Sequence, residues 1–211
     1  MLVSLSHNFV FIHIAKNGGS SVNDMLAKYA VGGPRTKWSD IKGALPVPKD
    51  PRRMGYPPHA NARWARRNLG AKRYDQAFSF ALVRNPYDRA VSRYEYVRQN
   101  ANHHNNAKFQ NMTFEEFVDD EKLRNRLISR TQFSEVSDRA GRVIVSKIYR
   151  FEAITDAILD ICERLDIPKP DVVPHQNSSR RQSYQTYFTP AIRAKFEDIY
   201  AKDIAFFEYS F

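Results

Sequence analysis

The stretch Phe9-Val-Phe-Ile-His-Ile-Ala-Lys-Asn-Gly-Gly-Ser-Ser21, running on into Val22-Asn-Asp-Met-Leu-Ala-Lys-Tyr29, decides the fold. Residues 9–14 form an apolar run with one histidine inside it, the pattern of a central strand covered on both faces. Two glycines then permit a tight turn. Val22, Met25, Leu26 and Tyr29 follow at i, i+3, i+4 and i+7, one face of a helix. A strand, a glycine turn and a helix start together make a cradle for a phosphate-like anion, because backbone N–H groups can approach the ligand and the helix dipole adds positive potential. Lys16 adds a mobile positive charge.

Outward from this unit, Phe78-Ser-Phe-Ala-Leu-Val83 reads as a second apolar strand and Val143-Ile-Val-Ser-Lys-Ile-Tyr149 as a third. Arg84-Asn85-Pro86 follows the second strand and opens a helix running to Arg98. Asn85 suits the N-cap, Pro86 the first helical position, and Asp88 the positive dipole end of the first turn. Residues 59–70 read as a short basic helix ended by glycine, and Thr113-Phe-Glu-Glu116 as a capping box. Residues 152–165 are an amphipathic helix, and Thr189-Pro190 starts the last one. Asn100 to Asn111 reads as a polar surface loop in which His103 and His104 should point apart. The segment 32–58, punctuated by prolines and rich in Arg and Lys, reads as a long loop or insertion. Recurring strand–helix units without an internal repeat predict one α/β domain over 1–211, with a mainly parallel sheet and helices on both faces.

Composition narrows the partners without naming one. The chain has 211 residues, 42% hydrophobic and 27% charged, the profile of an ordinary globular domain with a real core. Its net charge of +10 favours an anionic partner: nucleic acid, anionic membrane, nucleotide or acidic polysaccharide. The single cysteine, Cys162, excludes an intrachain disulfide and a cysteine metal cluster, and its place on the apolar face of the 152–165 helix makes it a core residue. No apolar run approaches the roughly 20 residues that span a bilayer, and the N-terminus carries no secretory pattern. A cytoplasmic chain with no integral membrane segment is therefore expected.

In open α/β sheets, ligands bind beyond the carboxyl ends of the strands. Two such ends carry anion-binding chemistry here: Lys16 to Ser21 after the first strand, and Arg84 to Ser92 after the second. The amides of Gly18, Gly19, Ser20 and Ser21 can cradle one tetrahedral anion, with hydroxyls from Ser20 or Ser21. Arg84 offers a planar fork suited to a second phosphate, and Ser92 joins it if its side chain reaches inward. The first turn is not a Walker A loop, since the lysine precedes the glycines, and no acidic residue ends the second strand as a magnesium ligand would. The pattern suits two anionic groups on one ligand, without an evident metal.

At these residues the chain resembles a known family. Ala15-Lys-Asn-Gly-Gly-Ser-Ser21 resembles the 5′-phosphosulfate loop of sulfotransferases, usually Pro-Lys-Thr-Gly-Gly-Thr-Ser. Val83-Arg-Asn-Pro-Tyr-Asp-Arg-Ala-Val-Ser92 resembles their 3′-phosphate motif, Arg-x-Pro-x-x-Arg-x-x-Ser. The C-terminal half is similar to the bacterial and carbohydrate branch through Arg150-Phe-Glu152, Asn177 with Arg180-Arg181, Tyr187-Phe-Thr-Pro190, and Asp203-Ile with Tyr209-Ser-Phe211. Ala15 and Asn17 depart from the usual proline and threonine, but the lysine and both glycines are kept.

The resemblance implies a three-layer, P-loop-like sulfotransferase fold. It also implies transfer of a sulfuryl group from 3′-phosphoadenosine 5′-phosphosulfate (PAPS) to an acceptor hydroxyl or amine, with adenosine 3′,5′-bisphosphate (PAP) as product and no metal; the likeness leans towards a carbohydrate hydroxyl and leaves a lipid, peptide or small metabolite open. Lys16 would neutralise the leaving phosphate oxygen, Asn17, Gly18, Gly19, Ser20 and Ser21 would hold the 5′ end, and Arg84 and Ser92 the 3′-phosphate. Arg180 and Arg181 would close over the nucleotide. His59 stands near the family's general-base position, although Pro58 replaces the usual glycine, while His13 reads as a core or supporting histidine. Two other classes stay open on the residues alone. A small-molecule or nucleotide kinase would want a Walker lysine and magnesium carboxylates. A basic nucleic-acid-binding protein would draw on Arg63 to Arg73 with Trp64 among them, though zinc and helix-turn-helix signatures are lacking.

Overall fold

Phe9 to Ile12 is fully buried, and the sheet is built around it. The computed structural model describes residues 1–32, 50–124, 131–170 and 181–211, so most of the expected 32–58 loop lies outside the described residues. Among these, strands β1 (Leu2–Ser4), β2 (Phe9–Ile12), β3 (Phe78–Val83) and β4 (Lys147–Arg150) form one sheet in that order. Strand β1 runs antiparallel to β2, whereas β2, β3 and β4 are parallel. The helices, in chain order, are α1 (Gly19–Leu26), α2 (Ala62–Leu69), α3 (Ala71–Gln76), α4 (Pro86–Gln99), α5 (Asn106–Gln110), α6 (Phe114–Arg124), α7 (Ile154–Leu165) and α8 (Pro190–Phe206), with short 3-10 turns and one short helical segment, Gln132–Val136, between them.

The chain divides into two compact units, Met1–Val83 with Ser134–Gln176 and Arg84–Phe133 with Asn177–Phe211. The first holds the sheet. Phe9, Phe11, Phe80, Leu82 and Tyr149 point to one face and pack with Val22 and Leu26 of α1 and with Ile154, Ile158, Ile161, Cys162 and Leu165 of α7. Burying each such side chain contributes roughly 1.5–3 kcal/mol relative to exposure. Val10, Ile12, Ala81 and Val83 alternate to the other face and are equally buried. The second unit is aromatic: Tyr87, Tyr94, Phe109, Phe114, Phe117 and Phe196 form its centre, joining α4, α5, α6 and α8.

Helix starts follow the sequence closely. Asn85 Oδ1 accepts from the Tyr87 N–H, Thr113 and Glu116 close a reciprocal capping box, and Thr189 Oγ1 accepts from the Ile192 N–H. Three expectations need correction. The chain adds β1 ahead of Phe9, a short antiparallel partner the apolar pattern did not show. The third predicted strand is shifted: Val143 is exposed and makes only an isolated bridge to Ser137, and the ladder starts where the Ser146 N–H donates to the Ser79 carbonyl at 2.7 Å. Asn100 to Asn111 is not all loop, because Phe109 is buried against Tyr94 and Phe117 and carries the short helix α5 with it. Within that segment His103 and His104 stack at 4.4 Å instead of pointing apart. Among the described residues no helix is long and apolar enough to cross a membrane.

Candidate active site

The first unit builds the lysine turn at the carboxyl end of β2. Lys16 sits at φ 69° and Gly18 at φ 72°, two left-handed residues within three positions. For glycine that conformation carries no steric penalty, whereas for lysine it costs roughly 1–2 kcal/mol. Strain of this kind gathers where a backbone must hold a particular shape. Asn17 is buried, and its Nδ2 donates to the Leu82 carbonyl at 2.8 Å, fastening the turn to the neighbouring parallel strand β3. An asparagine in the usual threonine position thus ties the loop to the sheet.

Both glycines are required by close approach. A Cβ on Gly18 would meet Phe151 at 2.4 Å, and one on Gly19 would meet the His13 ring at 2.2 Å. Helix α1 starts at Gly19, and its N-cap residue, Gly18, has no side chain with which to cap it. The first N–H groups of a helix have no intrahelical acceptor and present a positive dipole end. Ser20 is exposed at this end and Ser21 is buried, so the two hydroxyls expected to serve the anion differ in access.

His13 and His59 meet in the same unit. Their rings lie edge to face at 4.9 Å, and His59 Nδ1 is 3.0 Å from the His13 carbonyl oxygen. A carbonyl only accepts, so His59 Nδ1 is the donor of this pair. His59 is exposed and lies in the turn ahead of α2, whose N-cap is Asn61, so it precedes the helix rather than opening it. His13 stacks on Phe11, and burial, then the N-terminal ammonium and His59, push its pKa down to about 3. It is therefore neutral at physiological pH.

The second unit carries the arginine turn. Arg84 Nε donates to Asp88 Oδ2 at 2.6 Å and its Nη2 approaches the same oxygen at 2.5 Å, while Arg181 Nη2 pairs with Asp88 Oδ1. The Asp88 side chain is thus spent on two guanidiniums as well as on the first turn of α4. The main chain of Arg84 is held by an amide: its N–H donates to Gln132 Oε1 at 2.9 Å and its carbonyl accepts from Gln132 Nε2 at 2.8 Å. Gln132 and Phe133 in turn donate their N–H groups to the two oxygens of Asp203, both at 2.8 Å. Asp203 is fully buried, and desolvation raises its pKa despite these bonds. Ser92 lies two turns into α4 and is buried there. Arg180 lies outside the described residues. The sequence reading missed Gln132 and Asp88 as partners of Arg84; the i, i+4 spacing of Arg84 and Asp88 was the one signal available.

A search of curated proteins finds no match. Among solved structures, mouse sulfotransferase SULT7A1 complexed with PAP is similar with a TM-score of 0.59 at 15% identity, over 96% of this chain and 85% of that one. A sulfotransferase from Alicyclobacillus acidocaldarius gives a TM-score of 0.49 at 19% identity, over 94% and 92%. The model of the Sulfotransferase family matches residues 1–210. With this match over nearly its whole length, the chain belongs to the sulfotransferase family.

Proposed function

We propose that the chain transfers a sulfuryl group from PAPS to an acceptor hydroxyl, on a carbohydrate. The observation that carries this reading is the pairing of β2 with β3 in parallel, so that the strand leading to Lys16 and the strand leading to Arg84 end side by side in a chain of this family. The solved mouse relative of the same fold holds PAP, the product such a donor leaves. The net charge of +10 suits a doubly anionic nucleotide.

In this reading Lys16 and the N–H groups of Gly18 to Ser21 hold the 5′ end, with Asn17 fixing the turn. Gly18 and Gly19 carry no side chain because Phe151 and the His13 ring pack against them, and in this reading their backbone N–H groups serve the anion. Arg84, Ser92 and Arg181 take the 3′-phosphate. His59 Nε2 removes the acceptor hydroxyl proton as the new oxygen–sulfur bond forms, and Lys16 stabilises the phosphate oxygen released as the old one breaks. Catalysis then rests on in-line positioning and charge stabilisation, as in phosphoryl transfer.

The test is incubation with labelled PAPS and a panel of glycans, lipids and phenols, alongside melting curves with PAP or with ATP and magnesium. Label should move to a glycan, and PAP alone should raise the melting temperature. His59→Ala should lose turnover and keep PAP affinity. Stabilisation by ATP–magnesium and not by PAP would return the chain to a kinase. Salt-sensitive DNA binding with no response to PAP would make it a nucleic-acid-binding protein.

A further inference from the structure

In the second unit the roles above leave Asp88, the carboxylate between two of the assigned arginines, without a function. Arg84, Asp88 and Ser92 follow one another at four-residue spacing, so Asp88 and Ser92 share one face of α4 and Arg84 stands one turn ahead of them. Arg181 reaches the same carboxylate from a position 93 residues further along the chain. The side chains of Arg84, Arg181 and Asp88 are only 11%, 13% and 20% exposed. Surface ion pairs are worth little, but pairs this shielded hold their geometry.

We propose that Asp88 is a positioning residue that holds the Arg84 and Arg181 guanidiniums as a preformed pair and so sets the preference for a nucleotide bearing a 3′-phosphate. The inference rests on the donor reading above. One carboxylate serves two guanidiniums, so the trio as a whole carries an excess positive charge even with both ion pairs made. Arginine is a flexible side chain with a rigid planar end, and binding that must first freeze two of them loses affinity. Asp88 does the freezing before the ligand arrives. It engages Arg84 through Nε and Nη2, which fixes the plane of that fork. The double lock of the Arg84 main chain by Gln132 completes the arrangement, so position and plane are both set.

The experiment measures PAP and adenosine 5′-monophosphate, which lacks the 3′-phosphate, by calorimetric titration against the wild-type protein and Asp88 variants. The wild type should prefer PAP. Asp88→Ala should shrink that preference about tenfold, through loss of PAP affinity with monophosphate affinity kept, as expected when two bound side chains lose their preorganisation. Asp88→Asn, which keeps the shape and one acceptor, should fall between, and Asp88→Glu should restore part of the preference. Circular dichroism melts confirm that each variant is folded. An unchanged or larger preference in Asp88→Ala, or an equal loss for both nucleotides, overturns the proposal while leaving the donor reading intact. A wild-type protein that binds PAP no better than the monophosphate overturns the donor reading, and this inference with it.

Discussion

Lys16 is asked to do two things that conflict. Its charge serves the proposed leaving group, yet its backbone sits at φ 69°, where a side chain costs energy that glycine would not. Lys16→Ala removes the charge and keeps the strain. Lys16→Gly removes both, and at a left-handed position the relief exceeds the extra chain entropy of glycine. The two variants should be equally inactive in sulfuryl transfer, yet Lys16→Gly should be the more stable by about 1 kcal/mol in urea denaturation. Equal stabilities would mean that the turn relaxes once the lysine is gone. The comparison of glycine with alanine is the informative one, because every contact of the lysine side chain is lost in both.

At the scale of elements, the arginine turn depends on a relay. Asp203 near the end of α8 holds the N–H groups of Gln132 and Phe133, and Gln132 holds both backbone groups of Arg84. Asp203→Ala leaves two buried donors without their acceptor, each costing roughly 1–3 kcal/mol. Denaturant titration should therefore show a loss of about 2–6 kcal/mol. Asp203→Asn, keeping one acceptor, should lose less. If Asp203→Ala were as stable as the wild type, the relay would not hold this unit together. The relay also shows what a sequence can and cannot disclose. Asn85, Pro86, Thr113, Glu116 and Thr189 were legible because a cap speaks to residues two or three positions away. The glycine turn was legible for the same reason. The bond from Gln132 to Arg84 spans 48 residues and that from Asp203 to Gln132 spans 71, so no local pattern announces them. Strand β4 was misplaced because Val143 and Ile144 look like a strand, while the actual ladder start depends on Ser146 meeting Ser79, 67 residues away. His13 could be placed in the strand by its neighbours, but its contact with His59 depended on which loop returned to it.

For the molecule as a whole, acid should weaken folding through two separable effects. The chain carries a net charge of +10 at pH 7 with six histidines, so lowering the pH to about 5.5 adds positive charge to an already positive chain, and the resulting self-repulsion is screened by salt. His13 contributes differently. Its folded pKa lies near 3, below the ordinary 6.5, so the unfolded chain binds a proton that the folded one refuses. Stability from this source is complete above pH 6.5 and is lost progressively as the pH falls towards 3. Allowing for partial access of solvent, the loss between pH 7 and pH 5.5 should be about 1 kcal/mol. Asp203 works in the opposite sense, since a raised carboxyl pKa favours the folded state as pH falls through it. Urea denaturation at both pH values, in low and high salt, separates the terms. Added salt should recover the repulsive part and leave the His13 part, because a proton excluded by burial is not restored by screening. His13→Phe keeps a flat ring beside Phe11 and removes the titrating nitrogen, so the residual pH dependence at high salt should fall by that same 1 kcal/mol; His13→Gln should do likewise if the larger ring packs poorly. A residual unchanged in both variants would mean that His13 charges freely in the folded protein, and a neutral histidine packed against the proposed phosphate turn would no longer describe this site.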